Sequence, residues 1–247
     1  MEYATWAPFY ERIAREFGFA FEREERSAHR LEALLPPAAR SEPLERMRAR
    51  LHGREVIVVG SAPRSGPPPL WRLPATRLAP AIIAADGATA ECVDAGIVPT
   101  MITTDLDGPI PVEITANRRG SLVVVHAHGD NLRALEEWVT QFPGELAGTW
   151  AGPPRATLVN VGGFTDGDRA VFLAEDAGAA SILLWGFDFR SAEERTEPER
   201  ARKLAKLAWA ERLIGELART GRSPIRVWER DGTIRPYPPG KSDASTR

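Results

Sequence analysis

Apolar residues follow two rhythms along this 247-residue chain, and the rhythm changes near position 55. Before that point Trp6, Phe9, Tyr10, Ile13 and Phe17 recur at three- and four-residue spacing, which predicts an amphipathic helix ended by Gly18. A second, heavily charged helix is predicted over 22–35, with Leu31, Leu34 and Leu35 on its apolar side and Pro36-Pro37 as its stop. A third, short one is expected over 42–51. From 55 onward, Val/Ile/Leu-rich runs at 56–59, 81–85, 101–103, 122–125, 157–159 and 182–185 alternate with helical segments. Such continuous apolar runs predict the strands of a parallel sheet buried on both faces. The expected fold class is therefore α/β, a mostly parallel sheet covered by helices on both faces, with an N-terminal helical subdomain.

The leading helices carry apolar stripes but too few residues to enclose a core, so their expected role is structural packing against the remainder of the chain. The expected division is 1–53 for the helical subdomain, 54–237 for the α/β domain and 238–247 for a flexible tail. Residues 67–80, rich in Pro and Ala, read as a rigid connector. Residues 197–219 predict a long helix with Leu204, Leu207, Ala208, Leu213 and Leu217 on its apolar side, bringing Lys203 and Lys206 close together. A last strand is expected over 224–228.

In open parallel sheets the ligand sits beyond the carboxyl ends of the strands. Five polar loops fall there: Gly60-Ser61-Ala62-Pro63, Asp86-Gly87, Asp105-Leu106-Asp107-Gly108, His126-Ala127-His128-Gly129-Asp130-Asn131 and Asp166-Gly167-Asp168. If the strand frays just before Asp105, the carboxylates of Asp105 and Asp107 converge beyond its end, and two hard oxygen ligands suit Mg²⁺; alternatively Asp107-Gly108 is only a turn. Asp86 is a helix cap or a contact to a ribose or ammonium group. Gly60 and Ser61 open a loop able to wrap an anion with backbone N–H groups, running on to Arg64-Ser65-Gly66, but Gly66 is followed by Pro67 and no P-loop pattern is present. His126 and His128 leave a strand end on the same side, and the reading there stays open between a zinc site completed by Asp130, contacts to phosphate and proton transfer. Thr165 or Asp166 is a natural helix N-cap, Asp168 points at the same region from one turn in, and the glycines before them suit a phosphate. Phe187-Asp188-Phe189 offers either a slot for a flat heterocycle or core packing.

Composition narrows the partners. A net charge of −2 gives no whole-chain case for nucleic acid. The single Cys92 excludes an intramolecular disulfide and a thiolate zinc site and fits a reducing cytoplasm. No basic-then-apolar leader opens the chain, and no apolar run approaches the ~20 residues of a membrane span. The expectation is a soluble cytoplasmic protein with small-molecule partners, no nucleic acid and no membrane, with homo-oligomerisation left open.

The ordered series Val58-Val59-Gly60-Ser61-Ala62-Pro63, Ala85-Asp86-Gly87-Ala88, Thr104 to Gly108, His126 to Asn131, Gly163 to Arg169 and Gly186-Phe187-Asp188-Phe189 resembles the archaeal-type 6-hydroxymethyl-7,8-dihydropterin pyrophosphokinases. Trp6, Tyr10 and Phe17-Gly18-Phe19 are similar to that family's helical leader, and the acid loops are more distantly similar to those of thiamine pyrophosphokinases. The resemblance implies Mg²⁺-dependent transfer of diphosphate from ATP to a reduced pterin, releasing AMP, in folate or methanopterin synthesis. It implies Asp105 and Asp107 as metal ligands, with Asp168 and Asp86 as second choices and Asp166 as a helix cap or further ligand. Asp105 and Asp107, with His126 and His128, are the implied catalytic residues. For the nucleotide it implies Gly60, Ser61, Asp86, Asp130, Asn131, Thr165, Asp166, Lys203 and Lys206. The alternatives are a thiamine pyrophosphokinase, a nucleotide-sugar glycosyltransferase and a non-catalytic nucleotide-binding module. The first loop departs from the family pattern, since Arg64 to Pro67 make it bulkier and stiffer.

Overall fold

Alternation along a single strand explains the layering of this protein. In β1 (Glu55–Val59) Val56 and Val58 enter the core on one face of the sheet while Ile57 and Val59 enter the core on the other. The same holds along β2 (Ala81–Ala85), β3 (Met101–Thr104) and β4 (Leu122–Ala127), all buried throughout. The computed structural model describes residues 1–62, 79–192, 196–229 and 231–237. Arg64-Ser65-Gly66, most of the Pro-rich connector and the expected tail at 238–247 lie outside the described residues.

Nine strands form one sheet in the order β6-β5-β4-β3-β2-β1-β7-β8-β9, completed by β5 (Leu146–Trp150), β6 (Leu158–Val159), β7 (Ser181–Trp185), β8 (Ile225–Trp228) and β9 (Ile234–Pro236). Every neighbouring pair is parallel except β8 with β9. Helices α1 (Tyr3–Phe17), α3 (Pro43–Leu51), α7 (Asp166–Asp176) and α8 (Glu199–Thr220) bury residues in one core. Helices α2 (Phe21–Leu34), α4 (Ala88–Asp94), α5 (Ile110–Arg118) and α6 (Leu132–Trp138) do so in the other. The expected α/β class and its two covered faces are therefore observed.

Two strands were not foreseen. β5 reads Leu-Ala-Gly-Thr-Trp, without the β-branched run that marked the others, because its centre carries a glycine for a packing reason. A Cβ on Gly148 would come 3.1 Å from Leu35 and 3.2 Å from Leu31, so the gap is what lets α2 lie on the sheet. β9 is short and partly exposed, and it joins the sheet by antiparallel pairing with β8.

The apolar stripe of α8 also differs from expectation. Its buried residues are Trp209, Ala210, Leu213, Ile214, Gly215 and Leu217, whereas Ala208 is exposed and Leu204 only half-buried. The C-terminal half of α8 covers the core, while the N-terminal half reaches past the sheet and presents Lys203, Lys206 and Leu207 to a cleft.

Chain order reverses between β1 and β7, since β2 to β6 extend the sheet one way and β7 to β9 the other. That switch point opens a crevice at the strands' carboxyl ends. The loops there are tied together, Gly60 N–H donating to Trp185 O at 2.7 Å and Ala62 N–H to Gly186 O at 3.0 Å. A Cβ on Gly60 would approach Gly186 O to 2.6 Å, so glycine is required for this contact.

Candidate active site

All five polar loops open onto one cleft of about 650 Å³. Its centre is acidic. β3 ends at Thr104, and the next three residues turn instead of continuing the strand: Leu106 has φ 68° and its side chain is buried. A left-handed leucine costs roughly 1–2 kcal/mol, comparable with the ~2 kcal/mol from burying the side chain, so the turn is sustainable. Its amide is also held, donating to Thr104 Oγ1 at 3.0 Å. With Leu106 anchored inward, Asp105 and Asp107 converge, and Asp86 joins them from the β2 loop with φ 43°. One oxygen from each of Asp86, Asp105 and Asp107 lies within 4.8 Å of the others.

Asp86 does not cap the following helix with its side chain. α4 starts at Ala88 behind Gly87 without a side-chain cap, and the Asp86 carboxylate accepts from Thr104 Oγ1 at 3.2 Å. Gly108 makes room for it, because a Cβ there would collide with both Asp86 carboxylate oxygens.

Electrostatics match this crowding. Burial and the Asp105 charge push Asp86 up. Burial also works to raise Asp105, but contact with His128 and a hydrogen bond shared with Asp107 outweigh it and hold Asp105 down to about 2. Asp107 is exposed to the cleft, yet partial desolvation and the facing Asp105 charge push it up to about 6. Lys203 and Lys206 on α8 counter this, acting on Asp86 and Asp107 respectively. Beneath the trio Glu113 of α5 is fully buried, with both oxygens lacking a hydrogen bond of ordinary geometry despite the Thr104 hydroxyl beside it, and burial pushes it up to about 8.

The donor set suits a divalent cation. All three groups are carboxylates, hard oxygen donors of the type Mg²⁺ prefers, and Asp105 Oδ1 is buried with no hydrogen bond of ordinary geometry. Among the described residues no other grouping of His, Cys, Asp or Glu has metal-binding spacing, so the zinc alternative built on His126, His128 and Asp130 is not realised.

The imidazole loop has another task. His128 Nε2 lies 3.3 Å from Asp105 Oδ2, while its Nδ1 accepts from Asp130 N–H at 3.2 Å. His126 is buried, which drives its pKa well down and keeps it neutral, and its Nδ1 is engaged by the Thr149 hydroxyl at 3.1 Å. Asn131 turns away from any ligand: its amide donates to Asp105 O at 2.8 Å and His126 O at 2.7 Å, and its oxygen accepts from His128 N–H at 3.0 Å. It clamps the acid loop to the imidazole loop. Asp130 pairs with Arg23 at 2.8 Å.

At the start of α7 the expected pair separates. Thr165 is the N-cap, and Asp168 forms a capping box with it, accepting from Thr165 N–H at 2.6 Å and Phe164 N–H at 2.7 Å. Asp168 is fully buried and does not line the cleft, so the expected metal ligand is a helix cap, both oxygens being engaged by backbone donors. Asp166, two residues earlier, does line the cleft; burial and Asp105 push it well up, and Oδ1 has no hydrogen bond although Arg169 lies 3.6 Å away.

Several cleft residues escaped the sequence reading. Arg169, only 4% exposed, is a cation at the cleft base, foreshadowed only as a charge inside an apolar helix. Tyr10, Phe19 and Glu24 bring α1 and α2 into the site, so those helices do more than pack. Phe187, Asp188 and Phe189, expected either as a slot for a flat heterocycle or as core packing, do line the cleft, with Phe187 against Gly60.

Comparison with known proteins places this geometry. Residues 34–194 match the family described as 6-hydroxymethylpterin diphosphokinase MptE-like. The 6-hydroxymethyl-7,8-dihydropterin pyrophosphokinase of Methanothermobacter thermautotrophicus is 39% identical over 241 residues, covering 92% of this chain and 100% of that protein. Its namesake from Pyrococcus furiosus is 36% identical, with 91% and 98% covered, and that from Methanocaldococcus jannaschii is 35% identical, with 76% and 80% covered. Among solved structures, thiamine pyrophosphokinase from Bacillus subtilis aligns at 18% identity and TM-score 0.38 over 70% of this chain and 60% of that one, a likeness too distant to inform the site.

Proposed function

The chain belongs to the MptE-like 6-hydroxymethylpterin diphosphokinase family, whose members transfer diphosphate, and we propose that it moves diphosphate from ATP to 6-hydroxymethyl-7,8-dihydropterin, releasing AMP, with Mg²⁺. The observation that carries this reading is the convergence of Asp86, Asp105 and Asp107 at the mouth of a parallel sheet. The setting is the reducing cytoplasm and the pathway that of folate or methanopterin.

In the reaction the hydroxymethyl oxygen forms a bond to the β-phosphorus, the bond from that phosphorus to the α,β-bridging oxygen breaks, and AMP departs with that oxygen and its electron pair; the hydroxyl proton is released. Asp86, Asp105 and Asp107 would hold Mg²⁺, which would supply neutralisation of the phosphate charge. Lys203 and Lys206 line the cleft from α8 and would face the phosphates, and the Gly60-Ser61 turn, whose Gly60 N–H is held by Trp185 O, borders the nucleotide end. His128 fixes Asp105 and does not serve as a free base, since both its ring nitrogens are occupied. Asn131 holds the two loops in register, a positioning role. Asp166 and Arg169 form a buried acid–base pair 3.6 Å apart at the cleft base.

The test is product analysis with purified protein. AMP should form from ATP and Mg²⁺ when 6-hydroxymethyl-7,8-dihydropterin is added and not without it. Release of ADP would contradict diphosphate transfer, and AMP with thiamine in place of the pterin would reassign the acceptor.

A further inference from the structure

We propose that Glu24 of α2 reads the 2-amino-4-oxo edge of the pterin ring, making the N-terminal helices the acceptor-specificity element; this rests on the reaction proposed above. Glu24 is 3% exposed yet lines the cleft. Its Oε1 accepts from Gly129 N–H at 3.0 Å, while Oε2 is buried without a hydrogen-bond partner of ordinary geometry, although the Tyr10 hydroxyl stands next to it. Leaving a buried carboxylate oxygen unsatisfied is costly unless a ligand completes it. The adjacent cation in the chain, Arg23, is turned to Asp130.

The surroundings fit a flat ring. Tyr10, Phe19 and Phe164 line the cleft too, with Phe19 and Phe164 centroids 6.2 Å apart. Gly129 permits the approach of α2, because a Cβ there would come 2.9 Å from Arg23 Cβ and 3.2 Å from Glu24 Oε1. The same loop then runs through His128 to Asp105, so a ring held at Glu24 extends its substituent toward the acid trio.

The chemistry discriminates between the two substrates. A carboxylate only accepts, so its ideal partner presents two adjacent donors. The pterin edge does, with N3–H beside the 2-amino group. Adenine presents its 6-amino donor beside the N1 acceptor, and N1 would face a carboxylate oxygen. The nucleotide base is thereby left to other aromatic lining of the cleft, such as Phe187 and Phe189.

The experiment is a titration of the full-length chain with fluorescent 6-hydroxymethylpterin, together with steady-state kinetics using the dihydropterin. Glu24→Gln should weaken pterin binding about 10- to 100-fold and raise the pterin KM similarly, with the ATP KM within about twofold of wild type. An analogue lacking the 2-amino group should bind wild type about tenfold more weakly and lose less on Glu24→Gln than the parent pterin does, since only the N3–H contact remains. Unchanged pterin affinity in a folded Glu24→Gln protein, or a rise in the ATP KM instead, overturns the proposal. Should the variant fail to fold, the analogue on wild type decides alone, equal affinity for both ligands overturning it. If wild type binds the pterin through Glu24 but forms no AMP, the reaction fails while the site stands.

Discussion

Asp105-Leu106-Asp107 and Asp166-Gly167-Asp168 are two Asp-x-Asp segments on one cleft, yet only the first delivers both carboxylates to it. In the first, a left-handed Leu106 folds the chain back after β3, and both acids meet Asp86. In the second, the residues are the opening turn of α7, where successive side chains rotate by about 100° and positions two apart face apart. Asp166 therefore looks into the cleft and Asp168 back at the helix N-terminus. Backbone conformation, and not residue spacing, decides whether paired acids form a ligand site.

This contrast can be broken by substitution. The largest effect is expected from Asp107→Asn, which should lower AMP formation by about 10²- to 10³-fold with an unchanged melting temperature. Full activity at saturating Mg²⁺ would remove Asp107 from the site.

Next in size is the pH dependence of the cation requirement. Asp107 is pushed up to about 6 in the folded protein, so above that pH it is a ready ligand, and below it a proton must be displaced first. The Mg²⁺ concentration for half-maximal rate should rise by up to about tenfold per unit as pH falls below about 6, and stay flat from 7 to 8. A flat profile down to 5 would show that this carboxylate is not in contact with the ion.

The smallest effect on chemistry is expected at the second segment. Asp168→Asn should destabilise the fold by about 2 kcal/mol, seen as a lowered melting temperature, because it weakens hydrogen bonds from Phe164 and Thr165 to a buried charge. Turnover at a temperature where the variant is folded should stay within about threefold of wild type, and the Mg²⁺ requirement should not move. A large loss of Mg²⁺ affinity would return Asp168 to the metal site.

Much of this architecture was legible in the sequence because it is local. Apolar runs marked β1 to β4 and β7, Gly18 marked the end of α1, and the polar loops marked the strand ends. β5 was hidden because Gly148 serves the approach of α2, a contact made by residues more than a hundred positions apart. The exposed Ala208 shows the same limit: an apolar stripe gives a helix face but not where the sheet beneath it stops.

By itself the sequence determined an α/β sheet with acids and imidazoles at its carboxyl edge, because strand alternation and turn chemistry act over a few residues. Only the tertiary structure decided which carboxylates meet. Asp86 entered the trio through the parallel pairing of β2 with β3, and Asp168 was kept out of it by the rotation per residue of α7. Glu24 reached the cleft because Gly129 let α2 close on the imidazole loop. Each outcome depends on where distant backbone segments pack, which short-range pattern does not encode.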